Sequence, residues 1–262
     1  MEHQNEYDDS MVATLERVWG EGFMAPGGEG HVAKMVEGFE LEGRAVLDIG
    51  CGLGGPACIL AGEYGAHVVG TDLESPLIER AQRRAARMGL SDRTRFEVVT
   101  PGPLTFEDDS FDLVMSSGGV TQTADKLGIF RECLRVLKPG GSFSGYDWMR
   151  SEGDYSDDMR YWLEMEGLTY AMETPRGQEK LLRRAGFEEV SVVDASAWYR
   201  AQVRIEYERL KTRDFPRLVE RIGREAADHA VENWRATVVV CEKQEMHQVY
   251  TRAQAPARDG TI

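Results

Sequence analysis

The chain has 262 residues, 42% of them hydrophobic, and carries 45 acidic residues against 31 Lys and Arg, for a formal charge of -14. That length and apolar share suit one domain with elaborations. The acidic balance repels phosphate backbones and anionic membrane surfaces, which argues against nucleic acid and membrane as partners.

Four cysteines without a C-x-x-C pair, the polar start "MEHQNEYDDS" and the lack of any apolar run near the ~20 residues of a membrane span imply a soluble protein in a reducing, cytoplasmic setting. The five histidines show no metal-ligand spacing.

The predicted elements alternate. "RAVLDIG" (44–50) reads as a strand stopped by glycine, "PACILAGEYG" (56–65) as a helix and "AHVVGTD" (66–72) as a second strand. "SPLIERAQRRAARMGL" (75–90) opens on Ser-Pro and closes at Gly89 as a helix, with "RAQRRAAR" (80–87) on a solvated face. "TRFEVV" (94–99) and "FDLVMSS" (111–117) follow as strands, then helix "KLGIFRECLRVL" (126–137), turn "KPGG" (138–141) and strand "SFSGYDWM" (142–149). This alternation builds a mostly parallel sheet with helices on both faces, and such sheets bind ligands at the carboxyl ends of their strands. Beyond it, 156–186 reads as two helices, "EEVSVVD" (188–194) as a strand, and 197–245 as helices broken near Asp214 to Pro216. "MHQVYTR" (246–252) returns as a last, antiparallel strand.

The stretch "VLDIGCGLGG" (46–55) places Gly50, Gly52 and Gly55 as G-x-G-x-x-G after the first strand, and Asp72 ends the second strand, where an acid takes ribose hydroxyls. A dinucleotide would put its pyrophosphate near this turn, whereas S-adenosylmethionine (SAM) puts an ammonium and a sulfonium there. Asp48 repels the first and suits the second, which opposes an NAD-dependent oxidoreductase.

"VLDIGCGLGG", "VVGTDLES" and "FRECLRVLKPGGSFSGYDW" resemble, in order, the first, ribose-binding and closing motifs of class I SAM-dependent methyltransferases. "RVWGEGFMAPGG" (17–28) resembles the N-terminal segment of phosphoethanolamine N-methyltransferases, which lies over the cofactor. The resemblance implies a Rossmann-like α/β domain with a seven-stranded, mostly parallel sheet, and a cofactor, SAM, held by Trp19, Met24, Ala25, Asp48, Gly50, Gly52, Gly54, Asp72, Leu73, Thr100, Ser116 and Ser117. It further implies an N-terminal helical lid over 1–40 and a methyltransferase domain over 41–253. The SAM-binding core would span 41–149 and a substrate-facing part with helical insertions 150–253. Residues 254–262, rich in Pro, Gly and charge, read as a disordered tail.

The departures from that family bear on the acceptor. Tyr7 falls on the family's catalytic tyrosine, but Gln122 replaces its histidine, and an amide can hydrogen-bond without accepting a proton. Trp148, Leu168, Tyr170 and Ala236 fall on the phosphate-binding positions, leaving no cation for a phosphate. Thr100 stands where an adenine-contacting aspartate is usual. Tyr7 and Gln122 are therefore the candidate catalytic pair, and both, with Trp148 and Tyr170, the candidate acceptor contacts. Trp162, Trp198 and Trp234 read as core. The expected activity is SAM-dependent methylation of a small molecule, by resemblance an amine. Sulfur, oxygen or carbon acceptors, and SAM binding without turnover, stay open.

Overall fold

Two helices lead the chain, α1 (Asp9–Trp19) and α2 (Gly28–Met35). The Asp8 carboxylate caps α1 by accepting from Met11 N, and Val12 and Leu15, one turn apart, are its buried apolar positions. The alternating unit follows as β1 (Ala45–Ile49), α3 (Gly55–Gly62), β2 (His67–Asp72), α4 (Ser75–Arg87), β3 (Thr94–Val98) and β4 (Phe111–Ser117). After β4 come a one-turn helix α5 (Gly119–Gln122), α6 (Lys126–Val136) and β5 (Leu137–Arg150). The insertions are α7 (Asp157–Glu166) and α8 (Pro175–Ala185) before β6 (Glu188–Asp194), then α9 (Ser196–Lys211), α10 (Phe215–Ile222) and α11 (Arg224–Glu242) before β7 (Met246–Gln254). The computed structural model describes residues 6–257. His3 and the last part of the expected tail, 258–262, lie outside them.

The strands form one sheet in the order β3-β2-β1-β4-β5-β7-β6. β1 pairs in parallel with both β2 and β4, while β7 runs antiparallel to β5 and β6. Strand order reverses between β1 and β4, so their carboxyl ends open a crevice at a topological switch point. One apolar layer, with Val32, Leu60 and Ile78, covers one face of the sheet, and another, with Phe130, Val136 and Leu182, covers the other. A third cluster packs beneath the insertions around Trp162, whose Nε1 donates to Thr237 Oγ1 at 3.0 Å.

Several expectations are corrected. The tail is ordered where it begins: β7 continues to Gln254, Ala255 N donates to Gly141 O, and Gly140 N donates to Pro256 O. That pairing also draws "KPGG" into β5, which begins at Leu137 rather than Ser142. The arginines of α4 do not simply face solvent. Arg84 pairs with Glu16 and Glu21, Arg87 with Glu21 and Arg80 with Asp9, tying α4 to the N-terminal segment. Trp162 and Trp234 are core as expected, but Trp198 is 43% exposed.

Candidate active site

The crevice is a cavity of about 1560 Å³, walled by the carboxyl ends of β1, β2, β4 and β5, the N-terminal segment and helices α7 and α11. Ligand pockets commonly hold roughly 300–1,000 Å³, so this one has room for two molecules side by side.

The β1 end is built for close approach. Gly50 N and Cys51 N both donate to Thr71 O, binding the turn after β1 to the end of β2. Gly50 and Gly52 have φ of 70° and 50°, the left-handed region that a side chain resists. A Cβ on Gly52 would meet the Met24 sulfur at 2.7 Å, and one on Gly55 would meet the Gly22 carbonyl at 2.4 Å. The N-terminal segment therefore rests directly on the glycine turn, and Gly55 N donates to Gly22 O. Asp72 accepts from Gly52 N at 2.9 Å and Glu74 N at 3.0 Å, which fixes its carboxylate at the mouth of the turn.

Asp48 is 1% exposed, and neither carboxylate oxygen has a hydrogen-bond partner. Burial, with Asp72 adding repulsion, pushes its pKa to about 7. An uncompensated buried acid beside a glycine turn fits a ligand that brings a positive charge, as the ammonium of SAM would. Thr100 and Leu73 line the same half of the cavity.

The acceptor half begins at Tyr7. Its hydroxyl lies 3.5 Å from Gln122 Oε1, and its backbone N donates to Glu74 Oε1. Glu6 accepts from Gln122 Nε2 at 3.3 Å and Thr169 N at 3.1 Å. Lys126 Nζ donates to Val120, Thr121 and Thr123 carbonyls, holding the single turn of α5 that carries Gln122. Burial, then the carboxylates of Glu166, Asp72, Glu74 and Glu6, drive the Tyr7 pKa far upward, so its hydroxyl keeps its proton. Trp148 sits among Trp19, Trp162, Tyr170 and Tyr199, at ring-centroid distances of 5.4 to 6.4 Å. Asp147 accepts from Thr121 N through Oδ1, while Oδ2 has no partner. Burial raises its pKa to about 6, against the pull of Lys126 and the Thr121 amide.

The structure brings Trp19, Met24, Ala25, Asp48, Gly50, Gly52, Asp72, Leu73, Thr100, Ser117, Tyr7, Gln122, Trp148 and Tyr170 to one cavity wall. Two expected cofactor residues stand off the cavity wall. Gly54 caps α3 with its Cα against Ala81 and Phe96, and fully buried Ser116 sits behind Gly119, so neither lines the cavity. Glu166 and Asn233 line it without having been expected. Glu166 ends α7, where the helix dipole disfavours an anion, and that misplacement was the one signal in the sequence. His31 also gains a place, since its Nε2 lies 2.8 Å from Ser117 Oγ and burial lowers its pKa to about 3. It stays neutral behind the wall.

Residues 46–141 match the family described as "Methyltransferase domain". Phosphoethanolamine N-methyltransferase 1 of Arabidopsis thaliana is 30% identical over 241 residues, 92% of this chain and 48% of that protein. The sterol 24-C-methyltransferase erg6 of Aspergillus fumigatus is 36% identical over 153 residues, 56% of this chain and 40% of that protein. The solved structure of Haemonchus contortus phosphoethanolamine N-methyltransferase 2 with phosphomonomethylethanolamine and S-adenosylhomocysteine superposes with a TM-score of 0.90. At 24% identity it covers 97% of this chain and 59% of that one. Sheet order, glycine turn and matched domain define a class I SAM-dependent methyltransferase. Within that class the chain resembles the phosphoethanolamine N-methyltransferases, and it spans about half the length of these relatives. Among the described residues no helix is long and apolar enough to cross a membrane.

Proposed function

We propose that this chain transfers the methyl group of SAM to the nitrogen of a small, non-phosphorylated amine, with residues 6–25 serving as the lid. The observation that carries the reading is the character of the acceptor half: Tyr7, Trp148 and Tyr170 provide aromatic faces, and Glu166 and Asp147 provide acid. Leu168 lines the cavity at a position where a phosphate would need a cation, while Ala236, expected beside it, is buried in the core away from the cavity. Aromatic faces attract an ammonium by roughly 0.5–2 kcal/mol each.

SAM, when bound, supplies a methyl carbon on a sulfonium; the amine's lone pair forms the C–N bond as the C–S bond breaks, and that electron pair stays on sulfur. The protein's task is alignment. Asp48 and Asp72 fix one partner, while Tyr7 and Gln122, held by Glu6 and Lys126, fix the other. Gln122 accepts no proton, and Tyr7 keeps its own. Its free Oδ2 and a pKa near 6 support Asp147 as the group that receives the proton the amine sheds.

A sulfur acceptor is the second reading, favoured by Gln122 itself, since a thiolate or thioether needs no base at that position. Both readings fit a metabolite enzyme in a reducing compartment such as the cytoplasm, because all four cysteines are buried thiols. The test is formation of S-adenosylhomocysteine from SAM with a panel of amines, thiols and thioethers, the new methyl located by mass spectrometry. Methyl on nitrogen supports the proposal, and methyl only on sulfur replaces it. SAM binding without turnover on any acceptor favours a binding protein.

A further inference from the structure

The acceptor half holds a half-buried carboxylate with no counter-charge. Glu166 Oε1 accepts from Asn233 Nδ2 at 3.0 Å, and Glu166 Oε2 accepts from the Tyr170 hydroxyl at 3.2 Å. Among the described residues no Lys, Arg or His lies within ion-pair distance of it. Arg224 on the same wall is paired with Asp228 at 2.9 Å and lies over the Phe215 ring. The exposed His229 turns its Nε2 to Met165 O at 3.0 Å. Burial raises the Glu166 pKa to about 7, against the two hydrogen bonds that favour its charge.

A second observation points the same way. Asn233 is 7% exposed, lines the cavity, and its Oδ1 has no hydrogen-bond partner. Asp147 Oδ2 and Gln248 Oε1, each in a residue 2% exposed, line the cavity in the same condition. These three groups are acceptors and take N–H donors, while Trp148 Nε1 and the Tyr146 hydroxyl line the same cavity as donors without a partner, so the ligand is asked for N–H donors at the first three and for an acceptor at the other two.

The charge of the carboxylate excludes one use of it. Tyr7 lies within electrostatic reach of both Asp72 and Glu166. An amine about to attack carbon needs its lone pair free, and an ion pair with a carboxylate would hold it protonated. The cation that Glu166 takes is therefore not the nitrogen that reacts.

We propose that Glu166, held by Asn233 and Tyr170, seats a second, non-reacting ammonium group, and that the acceptor is a diamine or longer polyamine rather than a monoamine. The inference rests on the N-methylation reading above and adds the charge pattern of the substrate. Tyr170 bonds the seat directly and its ring lies 6.1 Å from that of Trp148, an aromatic surround in which a charge-assisted hydrogen bond is strengthened. The phosphate-bearing amines of the resembling enzymes bring an anion to an acidic wall and are rejected by it.

Calorimetry of the chain loaded with S-adenosylhomocysteine tests this. Putrescine, cadaverine and spermidine are expected to bind about tenfold or more tightly than butylamine, with phosphoethanolamine weakest. Glu166→Gln is expected to erase the preference for diamines while leaving S-adenosylhomocysteine affinity and the thermal midpoint in place. Leu168→Lys, at a half-buried wall position, adds a competing cation and is expected to give the same loss with Glu166 intact. Butylamine binding as well as the diamines, or a diamine preference that survives both substitutions, overturns the proposal. If S-adenosylhomocysteine itself does not bind, the methyltransferase reading falls first. Methyl transfer to butylamine but to no diamine would sink the inference and leave N-methylation standing.

Discussion

Tyr7 and Gln122, 115 positions apart, meet with the tyrosine hydroxyl 3.5 Å from the amide oxygen, and the contact spans the mouth of the acceptor half. Tyr7→Phe removes the donor and keeps the ring. The expected result is a fall in kcat of about tenfold, the size of one hydrogen bond, with SAM affinity unchanged by calorimetry. Equal loss of both would mean that Tyr7 only props the cofactor side.

Asp48 is expected to make SAM binding depend on pH. Its pKa in the folded chain, about 7, lies above its ordinary value of 3.8 because of burial and then Asp72. The folded state thus keeps a proton that the unfolded state gives up between those values, and this group weakens folding as pH rises through that window. On the proposed placement the ammonium of SAM pairs with the ionised form, so binding is expected to strengthen as pH rises toward 7. Above about 8 the ligand's own α-amino group loses its charge. Below 7 the expected slope is about a tenfold loss of affinity per unit, and Asp48→Asn should flatten it.

Asp72→Ala leaves Gly52 N and Glu74 N without this acceptor and removes the carboxylate proposed to take the ribose. A loss of about 1–3 kcal/mol in SAM binding is expected, read by calorimetry. An unchanged dissociation constant would place the ribose elsewhere.

Gly55→Ala drives a methyl group into the Gly22 carbonyl, 2.4 Å from the new Cβ. Backbone must move, at a cost of about 1–3 kcal/mol. Urea unfolding should show that loss, and proteolysis should begin to cut near Gly22. A variant as stable and as resistant as the parent would mean that the segment does not rest on the turn.

The cofactor half was legible because its physics is local. A strand, a glycine turn and an acid ending the next strand lie within 46–72, so spacing alone puts Asp48, Gly50, Gly52 and Asp72 together. Gly54 shows the limit of that locality, since spacing cannot tell a glycine on the cavity wall from one packed against Ala81 and Phe96. Glu166 and Asn233 were invisible because they meet across two insertions, 67 positions apart, where helical periodicity reports burial and says nothing of partners. The α4 arginines show the same limit. Their charge marked a polar face, and only the fold shows Glu16 and Glu21 opposite Arg84.

The segment from Glu6 to Ala25 forms part of the wall of both halves of the cavity. Its backbone binds Glu74, its Glu6 carboxylate binds Gln122 and Thr169, and Met24 covers Gly52. Both ligands would therefore press on one strap, and to the extent that either one tightens it, donor and acceptor are expected to raise each other's affinity by the same factor. Cutting the strap would make the two sites independent, so a shortened chain would bind each ligand more weakly and neither would sense the other.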